Sequence, residues 1–123
     1  MLKKVDKMDA KELLERYAKG ERDFSYVNLS GINLSKANLG GTNFFKANLR
    51  GAKLKNANLS KADLSGADLS QADLSDADLF NALLVDADLS GADLTGTDLE
   101  FADLRGAKLS GAKVSIGNIK MVL

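Results

Sequence analysis

The sequence predicts an all-β solenoid, a chain that bends at fixed intervals and winds into a coil around a column of leucines. Three observations carry this. From Phe24 to Ile119 every fifth residue is large and apolar: Phe24, Leu29, Leu34, Leu39, Phe44, then Leu at each fifth position through Leu109, then Val114 and Ile119. Two residues before each central position lies a small one, Ala at fourteen of the sixteen positions from Ala37 to Ala112, with Thr42 and Thr97 the exceptions. Eight of the eleven glycines stand two residues after a central position: Gly31, Gly41, Gly51, Gly66, Gly91, Gly96, Gly106 and Gly111.

A period of five fits neither ordinary element. At roughly 100° per residue a helix scatters every fifth side chain around its axis. In a strand, an odd period sends successive leucines to opposite faces. Burying all of them on one side therefore requires one bend per repeat. Residues two apart, such as Ala67 and Leu69, share a face when the three residues holding them are extended. The remaining two turn the corner, where glycine gives access to φ > 0. Repeated with one sense, the bend makes a solenoid whose backbone groups pair with the coils above and below at about 4.8 Å.

The repeats as written (ANLSK, ADLSG, ADLSQ, ADLSD) follow AxLxx with Asp or Asn before the leucine. They closely resemble the pentapeptide repeat family over residues 24–119 of 123. The resemblance implies a right-handed quadrilateral β-helix with four pentapeptides per coil, hence about five coils. Phe24 and Phe44, the two central phenylalanines, lie one such coil apart and are expected to stack.

Residues 1–22 are expected to form a tail and a capping helix, and 23–123 the β-helix. Residues 1–8 read as charged and frayed. A helix is signalled from Asp9 to Lys19, with Asp9 and Glu12 spaced as a capping box and Gly20 as its stop. Ala10, Leu13, Leu14, Tyr17 and Ala18 fall on one face, expected to lie over the first coil, where unpaired backbone is otherwise exposed. The alternative is a partner-binding helix. Cyanobacterial pentapeptide repeat proteins are similar here, with a short helix and a GERDFS-like lead into the repeats, which this chain carries as Gly20 to Ser25.

At the other end, Ile116, Ile119, Met121, Val122 and Leu123 follow the last clean repeat. Two readings stand: the tail folds over the open coil, or two molecules meet end to end as a homodimer. Charges come in bands. Residues 24–61 hold six bases and no acids, 62–101 ten acids and no bases, and 102–123 four bases against Asp103. With four repeats per coil, Asp68 stacks on Asp88, Asp73 on Asp93 and Asp78 on Asp98. Lys53, Lys113 and Lys108 then sit beside Asp73, Asp93 and Asp88.

One segment departs from the surface rule. Leu83 takes a position usually given to Asp or Asn, and Phe80 and Val85 follow central leucines where Ser is usual. With Phe101 one coil above Asn81, and Phe45 on a neighbouring face, Phe80, Leu83, Val85 and Phe101 outline a candidate protein-contact patch. Isolated surface hydrophobics are also ordinary.

Composition narrows the function classes. The chain has no Cys, no His and no Trp, so there is no disulfide framework, thiol nucleophile or imidazole base. No phosphate-cradling glycine motif or nucleophile–base pair is present, and no cofactor or metal site is expected. The N-terminus lacks a signal peptide's apolar core and no run reaches membrane-spanning length, so the cytoplasm is the expected compartment. The resemblance adds one specific alternative, a DNA mimic that modulates DNA gyrase or another topoisomerase. The zero net charge and basic flanks argue against it. Nucleic-acid binding is not expected either, because the basic bands are short and little interleaved with aromatics. The reading that remains is a non-enzymatic scaffold whose faces bind an unidentified protein; a designed or consensus repeat is its bland counterpart.

Overall fold

In each unit, the small, polar and central residues are extended and the next two form a turn. The computed structural model describes residues 7–118. From Leu29 to Ala112 each turn closes with a hydrogen bond from the small residue's N–H to the preceding central residue's carbonyl, as from Ala67 to Leu64 at 3.0 Å. Parallel bridges then join polar positions twenty residues apart, from Asp23↔Asn43 to Asp93↔Lys113. Twenty residues are four pentapeptides, so the coil has four sides.

We label the sides by their bridge positions. Side A carries Asp23, Asn43, Asp63, Leu83 and Asp103; side B carries Asn28, Asn48, Asp68, Asp88 and Lys108. Side C carries Asn33, Lys53, Asp73, Asp93 and Lys113; side D carries Asn38, Asn58, Asp78 and Asp98. Within a side the ladder is regular. Leu69 N–H donates to the Asp88 carbonyl at 2.7 Å, and Asp68 N–H donates to the Ala47 carbonyl at 3.0 Å. The turns join it as well, Gly51 N–H donating to the Ser70 carbonyl at 2.8 Å.

The interior follows from the alternation. Ala and Leu side chains point inward and, apart from the half-buried Ala37, are buried from Leu29 through Leu94, while the residue between them points out. Phe24 and Phe44 do stack, their ring centroids 6.2 Å apart. Thr42 and Thr97 fit the alanine position because each hydroxyl donates to a carbonyl, of Leu39 at 2.6 Å and Leu74 at 2.7 Å. Among the described residues no buried side-chain N or O lacks a partner.

The second turn residue has positive φ in unit after unit, glycine or not. Gly51 (φ 66°) and Gly106 (φ 73°) have it, but so do Tyr26 (64°), Lys46 (53°), Asn81 (59°) and Phe101 (61°). The glycine rule is therefore a preference that the ladder can override, at about 1–2 kcal/mol per residue. Some glycines also make room. A Cβ on Gly106 would collide with the Asp86 carboxylate one coil below, whereas one on Gly51 would meet nothing within 4 Å.

The N-terminal helix α1 spans Ala10–Ala18. Asp9 accepts from Glu12 N–H at 2.8 Å, but Glu12 turns its own carboxylate to Arg16, 2.9 Å away, so only half of the expected capping box forms. Leu13 is fully buried and Tyr17 donates its hydroxyl to the Gly40 carbonyl at 2.8 Å, which docks the helix on the coils. Two expectations need correction. Leu14 and Ala18 are exposed, because the docked stripe is only as wide as Leu13 and its neighbours. Lys7 and Met8 are not frayed: Lys7 bridges to Asn28, Met8 N–H donates to the Asn28 carbonyl at 3.1 Å, and the Met8 side chain is buried.

Burial falls away at the other end. Leu104 is half-buried, and Leu109 and Val114 are exposed. Leu94, Leu99, Leu104, Leu109, Ala112, Val114 and Asn118 line a cavity of about 230 Å³. A helical turn begins at Ile116, and Asn118, donating to the Thr97 carbonyl at 2.6 Å, is buried in this mouth.

Candidate protein-contact face

Where the residue before the central leucine is Asp or Asn, it has a structural task. Its Oδ1 accepts the N–H of the first turn residue: Ser65 to Asp63 at 3.0 Å, Ser75 to Asp73 at 3.0 Å, Phe80 to Asp78 at 2.9 Å. Asp and Asn are the residues suited to such turns. Serine at that turn position adds its hydroxyl, as Ser75 Oγ does to Asp73 at 2.6 Å.

This explains how aspartates can stack in columns. Asp68↔Asp88, Asp73↔Asp93 and Asp78↔Asp98 all bridge as expected, as do Lys53↔Asp73, Asp88↔Lys108 and Asp93↔Lys113. Hydrogen bonding outweighs the repulsion at two of them. The Asp88 carboxyl is held below the usual range first by the Ser90 hydroxyl, and the Asp93 carboxyl first by the Thr95 N–H, with Lys108 and Lys113 assisting from a distance. Asp103 is lowered by hydrogen bonds from Arg105, whose Nη2 lies 2.6 Å from its Oδ2.

The row 80–86 differs. Phe80 and Asn81 turn the corner from side D to side A, Leu83 faces out from side A, and Val85 and Asp86 turn to side B. Leu83 is 44% exposed and Phe101, one coil above Asn81, is 72% exposed, while Phe80 and Val85 are half-buried. Phe80 and Phe101 meet edge to face at 5.6 Å. Phe45 lies on the same corner as Val85, two coils below it with Ser65 between, and the Tyr26 ring packs on it at 5.7 Å. Tyr26 is an aromatic that the sequence reading does not place here; its twenty-residue phase to Lys46, beside Phe45, is the available signal. All the exposed aromatics beyond α1 thus border side A.

Of the candidate end contacts, Ile116 is exposed, at 77%. Ile119, Met121, Val122 and Leu123 lie outside the described residues. Among those described, no cluster of three or more potential metal-ligating Cys, His, Asp or Glu residues occurs, and no helix is long and apolar enough to cross a membrane.

The family profile for Pentapeptide repeats matches residues 23–60, 42–79 and 72–111. The chain is a pentapeptide repeat protein. Proteins of this family fold as right-handed quadrilateral β-helices, which agrees with the twenty-residue bridge register. Among solved structures, the pentapeptide repeat protein Rfr23 of the cyanobacterium Cyanothece 51142 is 38% identical, with a TM-score of 0.72, over 73% of this chain and 61% of that one. A pentapeptide repeat protein of the Arabidopsis thaliana thylakoid lumen is 34% identical over 73% of this chain and 63% of its own, with a TM-score of 0.38. One from Nostoc PCC 7120 is 34% identical over 93% of this chain and all of its own, with a TM-score of 0.31. The chain thus spans about three-fifths of the length of the first two. A comparison with curated proteins finds no match.

Proposed function

We propose that this pentapeptide repeat protein is a non-enzymatic scaffold that binds another protein through side A, with Phe80, Leu83, Val85 and Phe101 as the contact and Phe45 at its margin. In this reading α1 closes the first of about five coils, and the solenoid serves to hold the row rigid. One observation carries it. Leu83 gives up the turn cap that Asp63 and Asp73 make on the same and opposite sides, and gains solvent exposure in return. Nothing in the fold calls for that exchange.

The test is a photo-crosslinking residue placed at Leu83 and, as a control, at Lys53 on the opposite side, in cells producing the protein. A discrete product at 83 and none at 53 supports the proposal. Equal labelling at both positions overturns it. The stacked aspartates of the acidic band favour a second reading, modulation of a topoisomerase by DNA mimicry. An unchanged DNA supercoiling rate in the presence of the protein removes that reading.

A further inference from the structure

Resting on the reading of side A as a contact face, we infer that its partner presents an amphipathic helix with Lys or Arg flanking the apolar stripe. The mode of recognition follows from the backbone. Leu83 N–H donates to the Ala62 carbonyl, Leu84 N–H to that of Asp103 and Asp86 N–H to that of Arg105. With the ladder occupied above and below, only the Val85 N–H is left over in this row, too little for a partner strand to pair with, and recognition must come through side chains.

The dimensions suit a helix. Phe80–Asn81 and Val85–Asp86 turn corners, so the row between them spans roughly three extended steps, about 10 Å, which is the length of roughly two helical turns. Phe101 thickens one end of this row by a second tier. Its backbone is left-handed, at φ 61°, and its ring is 72% exposed. A bulky side chain is unfavourable in that conformation. Asn81, one coil below at φ 59°, tolerates it better.

The charges around the row choose the flanks. Asp63 lies below Leu83 and Asp103 above it. Asp86 follows Val85, and Glu100 lies one coil above Phe80. Two bases adjoin them. Arg105 is already bound to Asp103, which leaves Lys61 against Asp63, Asp86 and Glu100. An apolar row with an acidic rim attracts a basic partner and repels an acidic one.

The probes are three synthetic helical peptides with one leucine stripe and Lys, Gln or Glu flanks, titrated against the full chain by fluorescence anisotropy. The Lys-flanked peptide is expected to bind about tenfold or more tighter than the Glu-flanked one, and to weaken several-fold in about 0.5 M salt. Leu83→Asn should reduce its affinity at least about tenfold, and the pair Asp86→Lys with Glu100→Lys should abolish the charge preference. Both variants leave the buried column untouched, and thermal melting verifies that they remain folded. Equal binding of all three peptides, with loss on Leu83→Asn, overturns the basic partner but leaves the contact face standing. Binding indifferent to Leu83→Asn, or none at all, overturns the inference. Self-association removed by Leu83→Asn would make a second copy the occupant and also overturns it.

Discussion

Rows 72–74 and 82–84 face each other across the coil, and inside they are the same. Ala72, Leu74, Ala82 and Leu84 are all buried. Outside they part. Asp73 takes both the N–H and the hydroxyl of Ser75, whereas Leu83 stands 44% exposed above a turn that begins with Val85. The interior pattern thus specifies the coil and does not distinguish one side from another. Individuality resides in the outward residue and the corner that follows it.

The corners carry the larger of the effects expected outside the column. Gly51→Ala should lower stability by about 1–2 kcal/mol in denaturant melts, because the left-handed backbone strains the new side chain although space is open. Gly106→Ala should cost a few tenths more, since the Asp86 carboxylate must also turn away. Equal stability of Gly51→Ala and wild type would show that the corner relaxes.

A smaller effect is expected on side C. Asp73→Ala removes the acceptor for two hydrogen bonds and should cost about 1 kcal/mol. Leu83→Ala removes no such acceptor, and should stay within about 0.5 kcal/mol of wild type. If the two variants melt alike, the turn-cap role of Asp73 is wrong.

The smallest effect is in pH. Asp88, Asp93 and Asp103 have lowered folded pKa values. Their contribution is therefore complete above the unfolded value of about 3.9 and is lost as pH falls through the folded values. Melting temperature should be level from about pH 7 to 5 and fall below about pH 4. These groups are half-buried at the surface and still reached by solvent, so the loss is modest. Asp88→Asn with Asp93→Asn should flatten the acid limb; an identical acid limb would assign it to other carboxylates.

Much of this was legible in sequence. The five-residue spacing gave the column, and the small residues gave its tight neighbours; both depend only on alternation and volume. Four sides came from the family's pattern, supported internally by the spacing of Phe24 and Phe44. The aspartates were harder. Read as charges they look like a repulsive stack, and only the distance to each following N–H shows them as turn caps. Lys7 and Met8 were obscured by their charged surroundings, and their places depend on a bridge to Asn28 that no local pattern announces. Asn118 was likewise hidden, because its partner, the Thr97 carbonyl, is 21 residues away in the chain. The residues of the apolar row stand out in the sequence one by one, but their assembly around side A, with Tyr26 added, depends on the coil.

Neighbouring leucines offer the most direct trial. Leu84 points into the column and is fully buried, while Leu83 points to solvent in a position built for Asp or Asn. Leu84→Asn should lose at least about 3 kcal/mol through a cavity and an unpaired buried amide. Leu83→Asn should match or exceed wild type, by up to about 1 kcal/mol, by restoring the cap on Val85 N–H. Thermal unfolding of the two variants side by side measures both. Comparable destabilisation by the two would contradict the assignment of one leucine to the fold and the other to the surface.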